Sequence, residues 1–281
     1  MRAGPYEVSA LCTDAFRLDG GAMFGNVPKV LWERHHPADE KNRIPMVTRI
    51  VLARGEGRVI VVDTGTGHLW SEKEVSMYGL AAPEEPGVVT ALRRTGVAPE
   101  EVTDVILTHL HFDHAGGVTR RGPGGLPVPT FPRAVVHVQA ANWATARNPN
   151  ERERRSYLER HWQPLEGDRL NLVEGAAEIL PGIWVNPSDG HTRGLQWVRF
   201  GEDGQAVVFA ADMLPLATHV AVPWTMGYDL CPRELMEEKR ELLRRAARGE
   251  WTLVFEHDPG TEAAQVVEEA GRFSIAAPRS L

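Results

Sequence analysis

The stretch Thr-His-Leu-His-Phe-Asp-His-Ala-Gly-Gly, residues 108–117, decides the fold of this 281-residue chain. It holds four side chains of metal-binding type within six positions, namely His109, His111, Asp113 and His114. The preceding run, Val102 to Leu107, is short, apolar and rich in β-branched residues, which predicts a buried strand. The four side chains therefore lie on the loop that leaves the carboxyl end of a strand, where α/β proteins place their active sites.

The spacing of these four residues suits two neighbouring metal ions. His109 and His111 are two positions apart, so in an extended segment their imidazoles point to the same side and can share one metal. Asp113 and His114 follow where the chain must turn, and they can face a second metal. A single histidine in a polar loop is usually only solvated, but this pattern after a buried strand predicts a metal centre.

Three later segments each place one further ligand-type residue at the end of an apolar run. His191 stands in a glycine-flanked turn, Asp212 ends a run that reads as a buried strand, and His257 follows another. Taken singly, each would more often be a structural residue. Together with the first cluster, they are predicted metal ligands.

The order of these residues resembles the metallo-β-lactamase superfamily of binuclear hydrolases. The resemblance runs from about Val47 to His257 and includes Asp63, which precedes Thr-Gly at a strand end. It implies one metal held by His109, His111 and His191, a second held by Asp113, His114 and His257, and Asp212 as the bridge. It also implies that Asp63 stabilises the loops of the site from behind the ligands, although an aspartate before glycine commonly just forms a turn.

Within that superfamily, the chain is similar to the branch that contains N-acyl-homoserine lactonases and organophosphate hydrolases. The likeness rests on the run Asp19 to Lys29, on Phe112 in the ligand motif and on the stretch after Asp212. The candidate substrate-binding residues are Met23, Phe24, His219, Trp224 and Tyr228. Some lactonases carry a tyrosine shortly after the bridging aspartate, whereas Pro215 stands there in this chain, so Tyr228 would have to act from further along.

The predicted elements indicate an α/β fold. Strands are expected at Glu7 to Phe16, Val47 to Ala53 and Arg58 to Val62, followed by a helix at Gly87 to Thr95. A second set of strands is expected at Val135 to Val138, Ile183 to Val185, Leu195 to Phe200, Ala206 to Ala211 and Thr252 to Phe255. Two mixed sheets between outer helices, a four-layer αβ/βα sandwich, would bring the strand ends to one edge. We expect a single domain over residues 1–281.

Three segments are longer than a connector needs. Gly67 to Pro86 and Arg120 to Pro132 are long loops, which tend to be functional near an active-site edge. Ala140 to His161 looks helical and carries many charges, which we interpret as a solvated helix face in preference to a lid. A further helix is expected at Pro232 to Arg248.

Charge and composition restrict the classes of molecule that this protein is expected to bind. The net charge of −7 is spread out without a basic face, which disfavours nucleic acid. The first residues lack an apolar signal core, and the chain has no run of about 18 apolar residues, so we expect a soluble, cytoplasmic protein with no membrane partner. Exposed tryptophans in the N-terminal half would fit a homodimer interface.

The ligand set leads to a mechanism. Seven protein ligands exceed what one tetrahedral zinc uses, so two divalent metal ions roughly 3.5 to 4 Å apart are predicted. A water that bridges them would ionise near neutral pH and attack a carbonyl carbon. Asp113 would orient this hydroxide and carry its proton to the departing alkoxide. The predicted reaction is opening of a lactone or cleavage of a carboxylic ester, with N-acyl-homoserine lactones, and hence quorum quenching, favoured.

Several alternatives stay open at this point. The same site could attack phosphorus and make the protein an organophosphate triester hydrolase. The fold could instead serve a mononuclear iron dioxygenase that acts on a thiol, or it could only bind a signal, which is disfavoured because every expected ligand is present. Zinc is the first expectation for the metal, but a set of histidines and aspartates also accepts manganese, iron or cobalt.

Overall fold

The computed structural model describes residues 1–81 and 83–281, so Ala82, within the long segment 67–86, lies outside the described residues. The first part of the chain forms the strands β1 (Arg2–Ala3), β2 (Tyr6–Asp19), β3 (Arg43–Gly55), β4 (Arg58–Val62), β5 (Asp104–Ile106), β6 (Thr119–Arg121), β7 (Pro127–Pro129), β8 (Val135–Gln139) and β9 (Leu170–Val173). The second part forms β10 (Ala177–Leu180), β11 (Ile183–Ser188), β12 (Leu195–Phe200), β13 (Val207–Phe209), β14 (Thr252–Val254), β15 (Ala263–Glu269) and β16 (Arg272–Arg279).

The helices lie between and outside these strands. They are α1 (Gly20–Phe24), α2 (Lys29–Trp32), α3 (Glu72–Tyr78), α4 (Gly87–Arg94), α5 (Phe112–Ala115), α6 (Ala140–Arg147), α7 (Glu159–Trp162) and α8 (Pro232–Gly249). None of the helices in the described ranges combines the length and the apolar composition that crossing a membrane requires.

Two large mixed sheets form the centre of the fold. Their strand orders are β1-β2-β3-β4-β5-β8-β9 and β10-β11-β12-β13-β14-β15-β16, and β6 pairs with β7 in a separate ribbon. Strands β4, β5, β8 and β9 run parallel, and so do β13 and β14. Val62 is in register with Ile106, and Phe209 with Val254. The segments that leave these strands therefore emerge at matching levels at one edge.

One apolar core joins the two sheets. Val8 and Val51 of the first sheet share it with Val185 and Phe209 of the second, and all four are fully buried. Burying a side chain of this size stabilises the fold by about 1.5 to 3 kcal/mol. Helix α8 covers the outer face of the second sheet through a set of buried residues, Leu235, Leu242, Leu243 and Ala246. On the outer face of the first sheet, α4 packs in the same way with Val88, Val89 and Leu92.

The predicted fold class is confirmed, but several elements differ from the sequence prediction. Strands β2 and β3 extend to 14 and 13 residues, well beyond the predicted bounds. The hairpin of β15 and β16 was not predicted, because most of its residues are exposed or half-buried and no apolar run marks it.

Residues 140–161 do not form one helix. Helix α6 ends at Arg147, and Pro149 disfavours a helical conformation at Asn148, which has φ −144°. The side chain of Asn150 then accepts hydrogen bonds from the backbone N–H groups of Arg152 and Glu153, which fixes a turn. The charge run therefore lies on a compact loop and not on a helix face.

The expectation that tryptophans in the N-terminal half are exposed is wrong. Trp32 is fully buried and Trp70 is half-buried, so neither is exposed in the N-terminal half. Phe24 stacks on Trp32 with ring centroids 5.3 Å apart, and Trp70 packs edge-to-face on Phe112 at 5.4 Å. Both tryptophans thus pack against other side chains of the same chain.

Candidate metal centre

The seven predicted metal ligands meet at the edge where the strands of both sheets end. Their ligand atoms form two groups, each within 4.8 Å, one with His109, His111, His191 and Asp212 and the other with Asp113, His114 and His257. All seven side chains are buried. Each group brings together residues that the family resemblance assigns to one metal, and Asp212 adjoins the second group as well.

Local backbone geometry explains how one short segment supplies four of these residues. His111 lies in extended backbone just before α5, whose first turn carries Asp113 and His114. The segment packs tightly on the loop after β4, because a Cβ atom on Gly116 or Gly117 would overlap a backbone carbonyl of that loop. Only glycine permits this close approach.

Asp212 lies between the two groups. Its Oδ2 atom is 3.1 Å from His191 Nε2 and 3.5 Å from His114 Nε2, whereas its Oδ1 atom is 3.2 Å from His257 Nε2. The carboxylate thus turns oxygens toward both groups. This is the arrangement that a bridging ligand requires.

The donor atoms fit divalent metal ions. The distance is 3.3 Å both from His191 Nε2 to His111 Nδ1 and from His257 Nε2 to His114 Nε2. A tetrahedral zinc with bonds of about 2.0 to 2.1 Å separates two nitrogen ligands by about 3.3 Å. Within the described part of the chain, His109 Nε2 has no hydrogen-bond partner although it is buried. A buried polar atom of this kind costs free energy unless a metal or water satisfies it.

The opposite ring nitrogen of several ligands is held from behind. His191 Nδ1 donates to Asp229 Oδ1 at 2.8 Å, and His257 Nδ1 donates to the carbonyl of Val47 at 2.9 Å. Such bonds fix the tautomer and the ring orientation, so that Nε2 faces the site. Neither partner is among the site residues predicted from the sequence. Asp229 offers one usable signal in the sequence, since it is an acidic residue directly after Tyr228, a candidate substrate-binding residue.

Asp63 acts in the same way on His114. Its Oδ2 atom accepts from Thr108 Oγ1 at 2.6 Å and lies 2.9 Å from His114 Nδ1, while its Oδ1 atom accepts from the Thr108 N–H at 2.7 Å. Asp63 itself has φ +57°, a left-handed conformation that aspartate tolerates better than most residues. A second carboxyl group, that of Glu256, places Oε2 3.0 Å from the same His114 nitrogen.

The ionisable groups of the centre influence one another strongly. Burial alone would lower the pKa of His191, but the neighbouring Asp212 and Asp229 carboxylates raise this pKa to about 10. Burial would also lower the pKa of His257, but the Asp212 carboxylate outweighs it and raises this pKa to about 9. Burial and the nearby His114 hold the pKa of His109 well below its ordinary value. A cation that enters the centre must therefore displace protons from His191 and His257.

A cavity of about 260 Å³ opens above the centre. Its floor consists of ligand residues, namely His111, Asp113, His191, Asp212 and His257. Leu18, Met23, Met46 and Met226 give it an apolar side, and Tyr78 and Phe112 add two rings. Its outer wall comes from two loops, with Arg152, Glu153, Arg155 and Ser156 on one and Gly227 and Tyr228 on the other.

The outer wall corrects the interpretation of residues 140–161 as a solvated face. Glu153 is buried and accepts a hydrogen bond from Thr192 Oγ1 at 2.8 Å. Arg152 donates to the backbone carbonyls of Gly227 and Asp229, which lie on the other loop of the wall. The turn between α6 and α7 therefore covers the cavity and joins its two loops.

The predicted substrate-binding residues divide into two sets. Met23 and Tyr228 line the cavity, whereas Phe24, His219 and Trp224 lie outside its wall. The Phe24 ring stacks on His219 at 5.2 Å, Trp224 meets it edge-on at 5.6 Å, and His219 Nε2 donates to the carbonyl of Met23 at 3.0 Å. These three aromatic side chains therefore support Met23 from behind, because their faces are already occupied by one another.

Comparison with known proteins identifies the family. A model of the metallo-β-lactamase superfamily matches residues 43–257. The chain belongs to the metallo-β-lactamase superfamily. The predicted family is thus confirmed.

The metallo-β-lactamase relatives include lactonases. An N-acyl homoserine lactonase from Bacillus cereus is 32% identical over 155 residues, which cover 52% of this chain and 54% of the relative. The chain thus spans about half the length of the curated lactonases it matches.

Solved structures give longer matches. A probable metal-dependent hydrolase from Staphylococcus aureus is 29% identical with a TM-score of 0.89, and the match covers 100% of this chain and 99% of that one. A dizinc quorum-quenching lactonase solved with a product has a TM-score of 0.78, covers 100% and 97% of the two chains and is 18% identical, so it supports the fold alone. The family and the match to the Staphylococcus aureus protein support a metal-dependent hydrolase, as the sequence predicts.

Proposed function

We propose that this protein is a binuclear metal-dependent hydrolase that opens lactones or cleaves carboxylic esters, with N-acyl-homoserine lactones as the favoured substrates. One observation carries the proposal. Two groups of ligand atoms, linked through Asp212, form the floor of a cavity whose side is apolar. Such a cavity suits a neutral ester with an acyl chain better than a sugar or a phosphate-rich ligand.

The donor set supports two divalent cations, held by His109, His111 and His191 on one side and by Asp113, His114 and His257 on the other, with Asp212 between them. When bound, the cations would polarise the ester carbonyl and lower the pKa of a water molecule so that it is a nucleophile at neutral pH. Zinc is the proposed metal, and the nitrogen and oxygen ligands would equally accept manganese, iron or cobalt.

Asp113 is the proposed acid–base group. Its carboxylate oxygens lie 3.8 Å from His114 Nε2 and 3.8 Å from His257 Nε2, and its side chain borders the cavity. Asp113 would take the proton of the attacking water while the water oxygen bonds to the carbonyl carbon. When the ring C–O bond breaks, this proton passes to the departing alkoxide, and the product is a hydroxy acid.

Tyr228 is the proposed donor to the substrate carbonyl. It lines the cavity and retains 40% exposure, so its hydroxyl can reach an incoming ligand. Burial, with the nearby charges of Asp19 and Asp113, raises the pKa of this phenol, which keeps it protonated at neutral pH. A protonated phenol donates a hydrogen bond that strengthens as negative charge develops on the carbonyl oxygen.

Two other enzymatic functions remain as alternatives. The apolar side of the cavity would also accept the aryl group of an organophosphate triester. A mononuclear iron dioxygenase that uses a thiol substrate needs a single metal position, and the presence of both ligand groups argues against it. A cytoplasmic location, a homodimer, a single domain over residues 1–281 and the absence of nucleic-acid and membrane partners stay predictions from the sequence.

The first experiment measures metal content by mass spectrometry and hydrolysis with a pH indicator on the same preparation. Substrates are short- and long-chain N-acyl-homoserine lactones and an aryl phosphotriester, and Asp212→Ala serves as the inactive control. Two metal ions per chain with proton release from the lactones would support the proposal. Turnover of the phosphotriester alone would favour the first alternative. A single iron ion without hydrolysis would contradict the proposal.

A further inference from the structure

The chain has four tyrosines, and two of them, Tyr78 and Tyr228, line the cavity above the metal centre. Tyr6 lies in the core between the sheets, and the hydroxyl of Tyr157 is already bonded to Thr192 Oγ1 at 2.7 Å. In contrast, the hydroxyls of Tyr78 and Tyr228 have no hydrogen-bond partner within the described part of the chain. Tyr228 has a role in the proposed reaction, whereas the phenol of Tyr78 is a second hydroxyl of the cavity without one.

Tyr78 lies where the floor of the cavity meets its apolar side. Its ring packs on Phe112 with the centroids 4.7 Å apart, and Phe112 immediately precedes Asp113 of the floor. The same side chain packs against the apolar cluster that contains Met23 and Met226. A ligand group held at Tyr78 therefore lies between the metal centre and the part of the cavity that suits an acyl chain.

The position of Tyr78 is fixed although it belongs to the long segment 67–86. It is the last residue of α3, and a capping box closes the first turn of that helix. At the other end of α3, Arg43 Nη1 donates to the carbonyl of Met77 at 3.3 Å. Trp70 packs on the Tyr78 ring with the centroids 5.7 Å apart. A hydroxyl on a fixed ring can discriminate between ligands, because little conformational freedom is lost when it forms a bond.

The phenol of Tyr78 is a hydrogen-bond donor at neutral pH. Burial raises its pKa above the ordinary value of 10.0, and the negative charge of Asp113 raises this pKa further. A neutral phenol donates one O–H, which suits a carbonyl oxygen. An N-acyl-homoserine lactone carries two carbonyl groups, separated only by the α-carbon and the amide nitrogen. Both fit within a cavity of about 260 Å³ that two tyrosines line.

We propose that Tyr78 donates a hydrogen bond to the amide carbonyl of N-acyl-homoserine lactones and thereby selects lactones that carry an acylamino group. The inference rests on the proposed lactonase function and narrows its substrate class. The lactone carbonyl faces Tyr228 and the metal centre, the acyl chain lies along the apolar side, and the amide that joins them faces Tyr78. No charge develops on this amide when the ring opens, so the bond is equally strong in the bound substrate and in the transition state. It lowers KM and leaves kcat nearly unchanged.

The test measures kcat and KM of the zinc-loaded, full-length wild type and of Tyr78→Phe on a pair of lactones. The first is N-hexanoyl-homoserine lactone. The second, α-heptyl-γ-butyrolactone, carries an apolar chain of the same length on the same ring carbon and lacks the amide. We expect Tyr78→Phe to raise KM for the first lactone by about 3- to 10-fold, which is the effect of one lost neutral hydrogen bond. Its kcat on the first lactone and both constants for the second should stay nearly unchanged.

Tyr228→Phe and Tyr6→Phe are matched controls, since each also removes one phenolic hydroxyl. Tyr228→Phe should lower kcat/KM on both lactones alike, because both contain the lactone carbonyl. Tyr6→Phe changes a buried side chain of the core and should alter the kinetics on neither lactone. Circular dichroism and metal analysis by mass spectrometry establish that each variant is folded and loaded.

Equal losses of Tyr78→Phe on the two lactones, or no loss on either, would overturn the inference while the lactonase function stands. A fall in kcat without a rise in KM would also overturn it, because the hydroxyl would then act on the reacting bond. A wild type that opens neither lactone would contradict the proposed function itself, and the inference with it. If Tyr78→Phe does not fold, Tyr78→Leu replaces it, and the same selective rise in KM is expected, because it too lacks the hydroxyl.

Discussion

The floor and the outer wall of the cavity are built in opposite ways. The floor belongs to a set of seven buried side chains at the ends of strands, and four of the seven, His109, His114, His191 and His257, are held from behind by a hydrogen bond at 2.8 to 3.1 Å. The outer wall consists of loop residues, of which Arg152, Arg155 and Tyr228 are exposed. Groups that must hold a fixed geometry thus lie on the rigid sheets, and groups that must admit a ligand lie on loops.

This contrast predicts how substitutions will behave. A change in the floor should remove metal or lower kcat, because it alters groups that act in the transition state. A change in the outer wall should act on kcat/KM and leave the metal content intact. An outer-wall variant that loses metal, or a floor variant that changes neither the metal content nor kcat, would contradict this difference between floor and wall.

The largest effect is expected for Asp212→Ala in the floor. It removes oxygens that face both ligand groups, so metal and activity should be lost together. Because polarisation by bound metal is worth several kcal/mol, the activity should fall by more than about 1,000-fold. Metal analysis by mass spectrometry checks this, and retention of two full equivalents would rule out the bridging role.

Asp113→Asn should cut turnover while it changes KM little. The amide can still contact a cation, but it cannot accept the proton of the attacking water. Loss of a general acid–base group typically lowers kcat by about 100- to 10,000-fold. Steady-state kinetics on the best lactone substrate check this. An unchanged kcat would eliminate Asp113 as the proton carrier.

The free energy of unfolding of the metal-free protein should depend on pH through the floor histidines. The pKa of His191 is raised to about 10 and that of His257 to about 9, above the ordinary value of 6.5. Their pairing with carboxylates therefore stabilises the fold fully below about pH 6.5. This contribution is lost as the pH rises toward 10.

Burial lowers the pKa of Lys239 to about 7, which makes stability change in the opposite direction over the same range. The test is therefore the difference between the wild type and Asp229→Asn in urea unfolding at pH 6.5, 8 and 10. This difference should be largest at pH 6.5 and should shrink toward pH 10, because Asp229 attracts the charged imidazole of His191 and keeps only a hydrogen bond to the neutral one. A difference that grows with pH would refute the assignment.

In the outer wall, Tyr228→Phe should lower kcat/KM by about 10-fold, which is the effect of one lost hydrogen bond of about 1.5 kcal/mol. The metal content should not change, since Tyr228 is not a ligand. Met226→Leu, on the apolar side of the same cavity, is a control that keeps the phenol and should alter chain-length preference more than rate. Loss of metal in Tyr228→Phe would break the division between floor and wall.

The smallest catalytic effect is expected for Phe24→Leu, because Phe24 lies behind the cavity and does not line it. The stack with Trp32 and His219 would be lost, at a cost of about 1 kcal/mol in stability, while KM should stay within about two-fold. Thermal denaturation and substrate titration together check this. A large change in KM would return Phe24 to the substrate-binding residues.

Much of the fold could be predicted from the sequence because its signals are local. Apolar runs that end in polar clusters mark the strands that precede His109, Asp212 and His257. The period and length of these runs predict the strand bounds to within a few residues. The edge strands β15 and β16 could not be found in this way, since their exposed faces carry no apolar pattern. Pro149 did offer a signal for the end of α6, which the charge pattern of residues 140–161 obscured.

By itself the sequence determined which residues form the predicted ligand cluster of the centre. The spacing of His109, His111, Asp113 and His114 within one turn sets which side chains can converge, whatever else surrounds them. Only the tertiary structure decided which groups stand behind and above this cluster. Asp229, Glu256 and the loop at 152–156 are far apart in the chain, and they meet at the centre because the two sheets bring their strand ends to one edge. Contacts of that kind depend on long-range packing, and no local pattern encodes them.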